Sequence, residues 1–439
     1  SLRQIRDVEP ILPILNHMKK IIIDIHKFGP LQEVSFQVAP FMVFTGMSKL
    51  GKSYANYLVY YLFTNILNLR EYTKLIESLI GKESSGSFTI SGDLLSTYLH
   101  DNVIAFMRAL LGDPTIECDV NFRFPEFGEP LHVTYQEIDA TEEETVKRLD
   151  NTLNISIDGS EHRTTILLNT AFTIGVYSMV ALSNRLFEGL YDRTLIFPPA
   201  NGALINSDYT LTSSINRDGM YGRFLFDNDI CTSIEATEEQ SPYLNQIKKI
   251  TDGDVVKEEG KEFLVLDGGE HVNMSAVASS IKEISPLLFL LKNHSGTNAA
   301  ICLEEPEAHL HPSMQIQVAD LIAECINNGF LFHITTHSDY FMDRLNQLIK
   351  LGNIRKKDEA TFKEYCTANG LSEKTFLDGN NVKAYFFHRD DETGKVVIEK
   401  LPVEEGGIPM KTFYETVEKM RKQDEQIDEM LYSLNASDQ

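Results

Sequence analysis

The chain has 439 residues, enough for a large core, and its 42% hydrophobic and 24% charged residues are ordinary for a soluble globular protein. A formal charge of −24 works against general attraction to DNA or anionic membranes, while leaving room for a local basic groove. The five cysteines (Cys118, Cys231, Cys302, Cys325, Cys366) are scattered with no C-x-x-C pair, which argues against a zinc site or disulfide framework and for a reducing compartment.

No apolar run reaches the roughly 18 residues a membrane helix needs, and Ala171 to Leu182 comes nearest. No secretion signal is legible either, so the chain reads as soluble and cytoplasmic, with no membrane partner.

In chain order, residues 1–17 read as a short helical extension. Lys19 to Phe28 reads as a strand, Gly29-Pro30 as a turn, Glu33 to Val38 as an alternating strand, and Phe41 to Thr45 as a short buried strand. Tyr54 to Leu69 has no breaker and carries apolar residues at helical spacing. Residues 70–115 read as helical, broken at Gly81–Gly92, and Thr115 to Leu168 as β-rich, with strands at Leu131–Tyr135 and Thr164–Leu168. Ala171 to Tyr191 predicts a helix and Thr194–Phe197 a strand. Residues 205–260 give no clear pattern. Glu262–Leu266 predicts a strand, and Ser275 to Leu291 a helix that Pro286 should kink or cut. The strand Ala300–Leu303, a helix from Pro312 to Asn327, the strand Phe330–Thr335 and a helix after Ser338 follow. The remainder predicts a helix near Glu359–Asn369, a hairpin of Val382–Phe387 with Lys395–Leu401, and a charged helix from Pro409 to about Leu431.

Three strand ends carry the chemistry. Gly46-Met47-Ser48-Lys49-Leu50-Gly51-Lys52-Ser53 satisfies G-x-x-x-x-G-K-[ST] between a strand and a helix. Gly46 and Gly51 let successive backbone N–H groups point at phosphate oxygens, and the helix N-terminus faces the same charge. Lys52 can reach the β- and γ-phosphates, and the Ser53 hydroxyl can bind Mg²⁺. Ser48, Lys49 and Tyr54 complete the predicted nucleotide contacts. The apolar run Ala300–Leu303 ends in Glu304 and Glu305, one acid for the metal and one to take a proton from, or orient, the attacking water. Phe332-His333-Ile334-Thr335-Thr336-His337-Ser338 is a further strand with a polar end, where His337 could reach a γ-phosphate and His333 reads as structural. His309 and His311 lack the further ligands a zinc site would need.

The order GMSKLGKS, ASSIKEISPLL, ICLEEPEAHLHPSMQ, ITTHSDYF resembles an ABC-type ATPase, and more narrowly the stand-alone ATPases related to OLD, RecF and SMC heads. The likeness runs from about Lys19 to Asn346. It implies an α/β, two-lobed head: a phosphate-loop mixed sheet with an antiparallel β lobe and a helical lobe. Residues 18–350 would be that domain, with an α/β insert around 70–260, and 351–439 a C-terminal α/β extension of the same domain. It further implies ATP and Mg²⁺ as cofactors, Glu305 and His337 as catalytic residues, Ser53 and Glu304 on the metal, and a homodimer or higher homo-oligomer closed over nucleotide. Ser279 or Ser280, in SAVASS, would be the signature contact given in trans, or would simply cap its helix, since the family's Gly is missing.

Several departures stand out. Relatives read G-x-N-G-S-G-K in the phosphate loop, whereas this chain has Ser48, Lys49 and Leu50. After Phe197-Pro198-Pro199-Ala200 the family's Arg is absent, and no glutamine is placed as a Q-loop residue. Roughly 250 residues separate the two nucleotide motifs, room for an inserted lobe, yet that insert has no sustained heptads and so no SMC-type coiled coil. Asp390, Asp391 and Glu392 read as a solvated hairpin tip rather than a nuclease centre. Three functions stay open: an ATPase switch acting on a protein effector, as in bacterial defence; a DNA-repair or DNA-clamping ATPase, which the acidic charge disfavours; and a nucleotide-binding structural protein with little turnover, which the paired Glu304 and Glu305 argue against.

Overall fold

Six strands form the central sheet of the computed structural model, in the spatial order Val396–Leu401, Val382–Arg389, Phe41–Gly46, Leu331–Thr335, Asn298–Glu304, Tyr191–Phe197. All neighbouring pairs run parallel except the edge hairpin of Val382–Arg389 with Val396–Leu401. The structure describes residues 18–138, 151–204, 219–233, 241–258, 260–293 and 298–437, so the extension expected at 1–17 lies outside the described residues.

Parallel strands are covered on both faces and therefore need continuous apolar runs rather than alternation. Phe41–Phe44, Ala299–Leu303 and Leu331–Ile334 meet that need, and each is buried. Successive residues feed opposite sides: Met42, Phe44, Ala300, Cys302 and Leu331 join one hydrophobic core, and Phe41, Val43, Ile301, Leu303 and Phe332 join the other. The helix after the phosphate loop, Lys52–Leu67, is buried on nearly its whole circumference from Ala55 to Leu67. It runs beneath the sheet as a central rod, in contact with the acid-bearing strand and with Tyr191–Phe197.

Around this sheet lie three antiparallel ones. Leu31–Gln37, Ile22–Phe28 and Cys118–Arg123 form the first, and Gly253–Glu258, Lys261–Leu266 and His271–Asn273 another. The third has four strands: Ser85–Ile90, Leu131–Ile138, Thr152–Ile157 and Ser160–Thr165. The expected class is what is observed: α/β, with a phosphate-loop mixed sheet, antiparallel β layers and packed helices. All five cysteines are buried and free, and no helix among the described residues is long and apolar enough to cross a membrane.

Some elements differ from expectation for local reasons. The Gly/Ser-rich break at 81–92 holds the strand Ser85–Ile90, mostly exposed and paired along Leu131–Gln136, so its ladder comes from a partner and not from its own apolar pattern. The strand predicted at Thr164–Leu168 is Ser160–Thr165, because the chain turns at Asp158-Gly159, both with positive φ. The helix predicted from Ser275 begins at Ser279, after a 3-10 turn at Met274–Ala276, and runs through Pro286. Pro286 cannot donate back to Lys282, and the Ser285 hydroxyl donates to that carbonyl instead, at 3.0 Å. Asp390 accepts from Thr393 N–H and Oγ1, and Asp391 and Glu392 beside it are exposed, a solvated hairpin tip.

The C-terminal hairpin is more intimate than an appendage. Val382–Arg389 pairs directly with the phosphate-loop strand, and Met47 N–H donates to Phe387 O at 3.2 Å. Gly46 sits at φ 117, where a Cβ would lie 2.3 Å from Phe387 O. Gly46→Ala is therefore expected to destabilise the protein by roughly 2–4 kcal/mol, read from the denaturant midpoint.

Candidate functional site

The strand order brings the three polar strand ends to one edge. The histidine strand lies between the phosphate-loop strand and the acid strand, with Thr335 opposite both Phe44 and Glu304. Carboxyl ends of parallel strands at such an edge are where ligands bind in open α/β sheets.

The phosphate loop takes its shape from positive φ at Gly46 (117°), Lys49 (65°) and Gly51 (93°). Lys49 keeps a left-handed backbone of the kind glycine would supply freely. Met47, Ser48 and Lys49 are exposed, and Leu50 is buried. Lys52 curls back so that its Nζ donates to Gly46 O at 3.1 Å and Met47 O at 2.6 Å. Burial lowers its pKa to about 8, against the opposing pull of Glu305 and Glu304. Tyr54 packs edge-on against Phe28 at 4.6 Å, which commits its ring to the outer sheet.

Glu304 is the last residue of its strand and is buried. Tyr57, one turn beyond Ser53 on the phosphate-loop helix, donates to Glu304 Oε2 at 2.9 Å. Ser53 also adjoins this carboxylate. Among the described residues Glu304 Oε1 is buried without a well-aligned donor, and the Asn56 amide beside it is likewise buried without a well-aligned partner. Burial pushes the Glu304 carboxyl up to about 7, against the Tyr57 and Ser53 hydrogen bonds. A carboxylate oxygen without a well-aligned donor, beside a serine hydroxyl, is an all-oxygen donor set suited to a hard cation. Mg²⁺ takes one or two protein ligands and completes its shell with water and phosphate.

The next residue points elsewhere. Glu305 has φ 48°, and its N–H donates to Thr335 O at 3.0 Å. This left-handed step turns its side chain away from Glu304 into the open, where Oε1 lies 4.0 Å from His337 Nε2 and both side chains are partly exposed. The His337 pKa is lowered from its ordinary value, first by burial and then by Lys52, so the ring is neutral near pH 7.

Glu307, not singled out in the sequence, organises this corner. Its Oε1 accepts from His337 N–H at 2.6 Å and Thr336 Oγ1 at 2.9 Å, and burial raises its pKa. The third acid of Glu304-Glu305-Pro306-Glu307 was the available signal. Gln315 ties in as well: its Oε1 accepts from Ser338 Oγ at 2.5 Å and its Nε2 donates to Leu310 O. His311 caps the helix Pro312–Asn327 by accepting from Ser313 N–H, a structural role. His333 is fully buried and stacked on Phe63 at 4.9 Å, also as expected.

Ser279 and Ser280 open their helix, Ser279 exposed and Ser280 half-buried, and neither side chain caps it. Among the described residues no hydrogen bond joins them to the phosphate loop, Glu305 or His337. Their helix is instead fixed by Glu283, whose carboxylate accepts from Asn201 N–H and Gly202 N–H at 2.9 Å each. Gly202 is needed there, since a Cβ would come within 2.8 Å of that carboxylate.

Fold and site together define a phosphate-loop α/β protein. Residues 224–342 match a family model described as an AAA ATPase domain, a little over a quarter of the chain. That stretch contains the acids and His337, and the sheet places it against Lys52 and Ser53 from outside the match. The match supports an ATPase. A search of curated proteins finds no match. Solved structures with some similarity include an SMC head bound to the C-winged helix domain of ScpA (11% identity, TM-score 0.35, 89% of this chain and 99% of that one). An SMC head domain from Thermotoga maritima follows (11%, 0.34, 88% and 100%). A third is the SMC head with an extended coiled coil bound to the C-terminal domain of ScpA, derived from Pyrococcus furiosus (10%, 0.34, 92% and 99%).

Proposed function

We propose that the chain is a Mg²⁺-dependent ATPase whose nucleotide-bound form closes a homodimer, and that this closure switches a partner effector. The observation that carries the nucleotide reading is the convergence of Lys52, Ser53, Glu304, Glu305 and His337 at one sheet edge from segments about 250 residues apart in sequence.

Lys52 leaves the loop carbonyls it now holds and donates to the β- and γ-phosphates. The loop N–H groups settle around the triphosphate. Ser53 and Glu304 would hold Mg²⁺, which would supply charge neutralisation to the phosphates. Glu305 accepts a proton as the water oxygen bonds to the γ-phosphorus, and the bond from that phosphorus to the β,γ-bridging oxygen breaks, leaving ADP with the electron pair. His337, neutral and held by Glu307, donates a hydrogen bond to the γ-phosphate. The segment Ser275–Ser280 is the proposed contact from the second subunit.

The test is solution mass with Mg-ATP for Glu305→Gln. The expected result is nucleotide-stabilised self-association. No nucleotide binding, or binding that leaves the monomer–dimer equilibrium unshifted across a concentration series, defeats the switch. The second reading, a DNA clamp, predicts salt-sensitive DNA binding, and a net charge of −24 speaks against it.

Tyr57 belongs to this machinery as a positioning residue. Glutamate is one methylene longer than aspartate, and the Tyr57 hydroxyl fixes one oxygen of a carboxylate that Ser53 adjoins. Tyr57→Phe is expected to raise the Mg²⁺ concentration for half-maximal turnover by roughly tenfold, with kcat at saturating Mg²⁺ nearly unchanged. A Mg²⁺ titration of ATP hydrolysis checks this.

A further inference from the structure

The last helix, Lys411–Ser437, carries apolar side chains that the rest of the fold leaves uncovered. Val417, Met420, Ile427 and Leu431 are 59%, 64%, 49% and 53% exposed. With Asp424 in the one polar slot, these positions step by 3, 4, 3 and 4 residues. That 3.5-residue period is the seam of a two-stranded coiled coil. Val417, Met420, Ile427 and Leu431 are all exposed, so no described part of the chain buries the seam.

The charges along the helix say what covers it. Lys419, Arg421 and Lys422 occupy one turn, and Asp424, Glu425, Asp428 and Glu429 fill the next. This order does little for the helix itself: Arg421 precedes Glu425 at i,i+4, the weaker orientation for such a pair. Between two identical helices laid antiparallel, the basic turn of each meets the acidic turn of the other, about a two-fold axis near Gln423. A parallel pair would put Asp424 against its own copy on the seam, and like charges there repel. A membrane surface fits poorly, because residues 417–432 carry five acids against three bases.

We propose that this helix is a self-association element through which two copies of the chain pair as an antiparallel coiled coil, with no nucleotide required. Two heptads alone make a weak dimer, so the pairing is reversible. It holds two heads at high effective concentration, which lowers the cost of any further contact between them. The element stands apart from the ATPase reading and can fail without it.

The experiment measures the mass of the full nucleotide-free chain by sedimentation across a concentration series. Wild type is expected to form dimers. The double variant Val417→Asp, Ile427→Asp, at exposed positions that do not support the fold, is expected to weaken pairing by roughly tenfold or more. A wild type that stays monomeric, or a double variant that pairs equally well, overturns the proposal. Orientation is read by oxidation: the five natural cysteines are buried, and mixing Val417→Cys with Ile427→Cys is expected to give the mixed cross-link. Predominant cross-linking of Val417→Cys to itself overturns the antiparallel arrangement.

Discussion

Glu305→Gln is expected to cut ATP turnover by roughly 10²–10⁴-fold while nucleotide affinity stays within a few-fold. The two neighbouring acids face different surroundings. Glu304 ends the strand, buried against the phosphate-loop helix with one oxygen held by Tyr57. Glu305 follows with φ 48° and its N–H on Thr335, which swings its carboxylate into a space that water can enter. Only the second can take a proton from bulk-supplied water. Glutamine keeps its size and its place beside His337 but accepts no proton. Phosphate-release kinetics and equilibrium nucleotide binding, measured on one preparation, separate the two effects. Near-normal turnover in the variant would remove Glu305 as the base and leave water orientation to His337 and Glu307. Loss of binding together with turnover would show that the carboxylate charge supports the loop rather than the chemistry.

Much of this edge was legible because it is local. A buried strand followed by Glu304-Glu305, and a glycine-bounded loop followed by Lys52-Ser53, place their side chains through backbone geometry alone. What the sequence hid was pairing between distant segments. Nothing in Val382–Arg389 says that it flanks the phosphate-loop strand, because an edge hairpin and an inserted parallel strand share the same apolar pattern. Tyr57 reads as one more apolar position on a helix, and its hydroxyl acquires meaning only from Glu304, far along the chain. Glu307 reads as turn polarity until Thr336 and His337 arrive on the neighbouring strand. The strand Ser85–Ile90 was missed since its own residues are polar and small, and its order comes from Leu131–Ile138. The helix runs on through Pro286, where a side-chain hydroxyl, not a backbone group, meets the freed carbonyl.

Glu304→Gln is expected to stabilise the metal-free protein at pH 8 while abolishing Mg²⁺-dependent turnover. In the fold the Glu304 carboxyl titrates at about 7 against an ordinary value of 4.5, chiefly because burial disfavours its charge. Between those values the folded chain keeps a proton that the unfolded chain has released, so stability falls as pH rises through this window. Above it the whole penalty applies, about 3 kcal/mol. Glutamine carries no charge, and its amide oxygen can still accept from Tyr57. The variant should therefore match wild type near pH 4.5 and exceed it increasingly toward pH 8, by up to about 3 kcal/mol in chelator-treated samples. Thermal unfolding across that range measures the difference, and a gap that is absent at pH 8 or constant with pH would contradict the assignment. Mg-ATP should reverse the order, because a bound cation repays an ionised Glu304 and offers glutamine little. The instability of the empty protein at this carboxylate is then the strain that nucleotide and metal together relieve, so the same burial that weakens the free fold strengthens its preference for the loaded one.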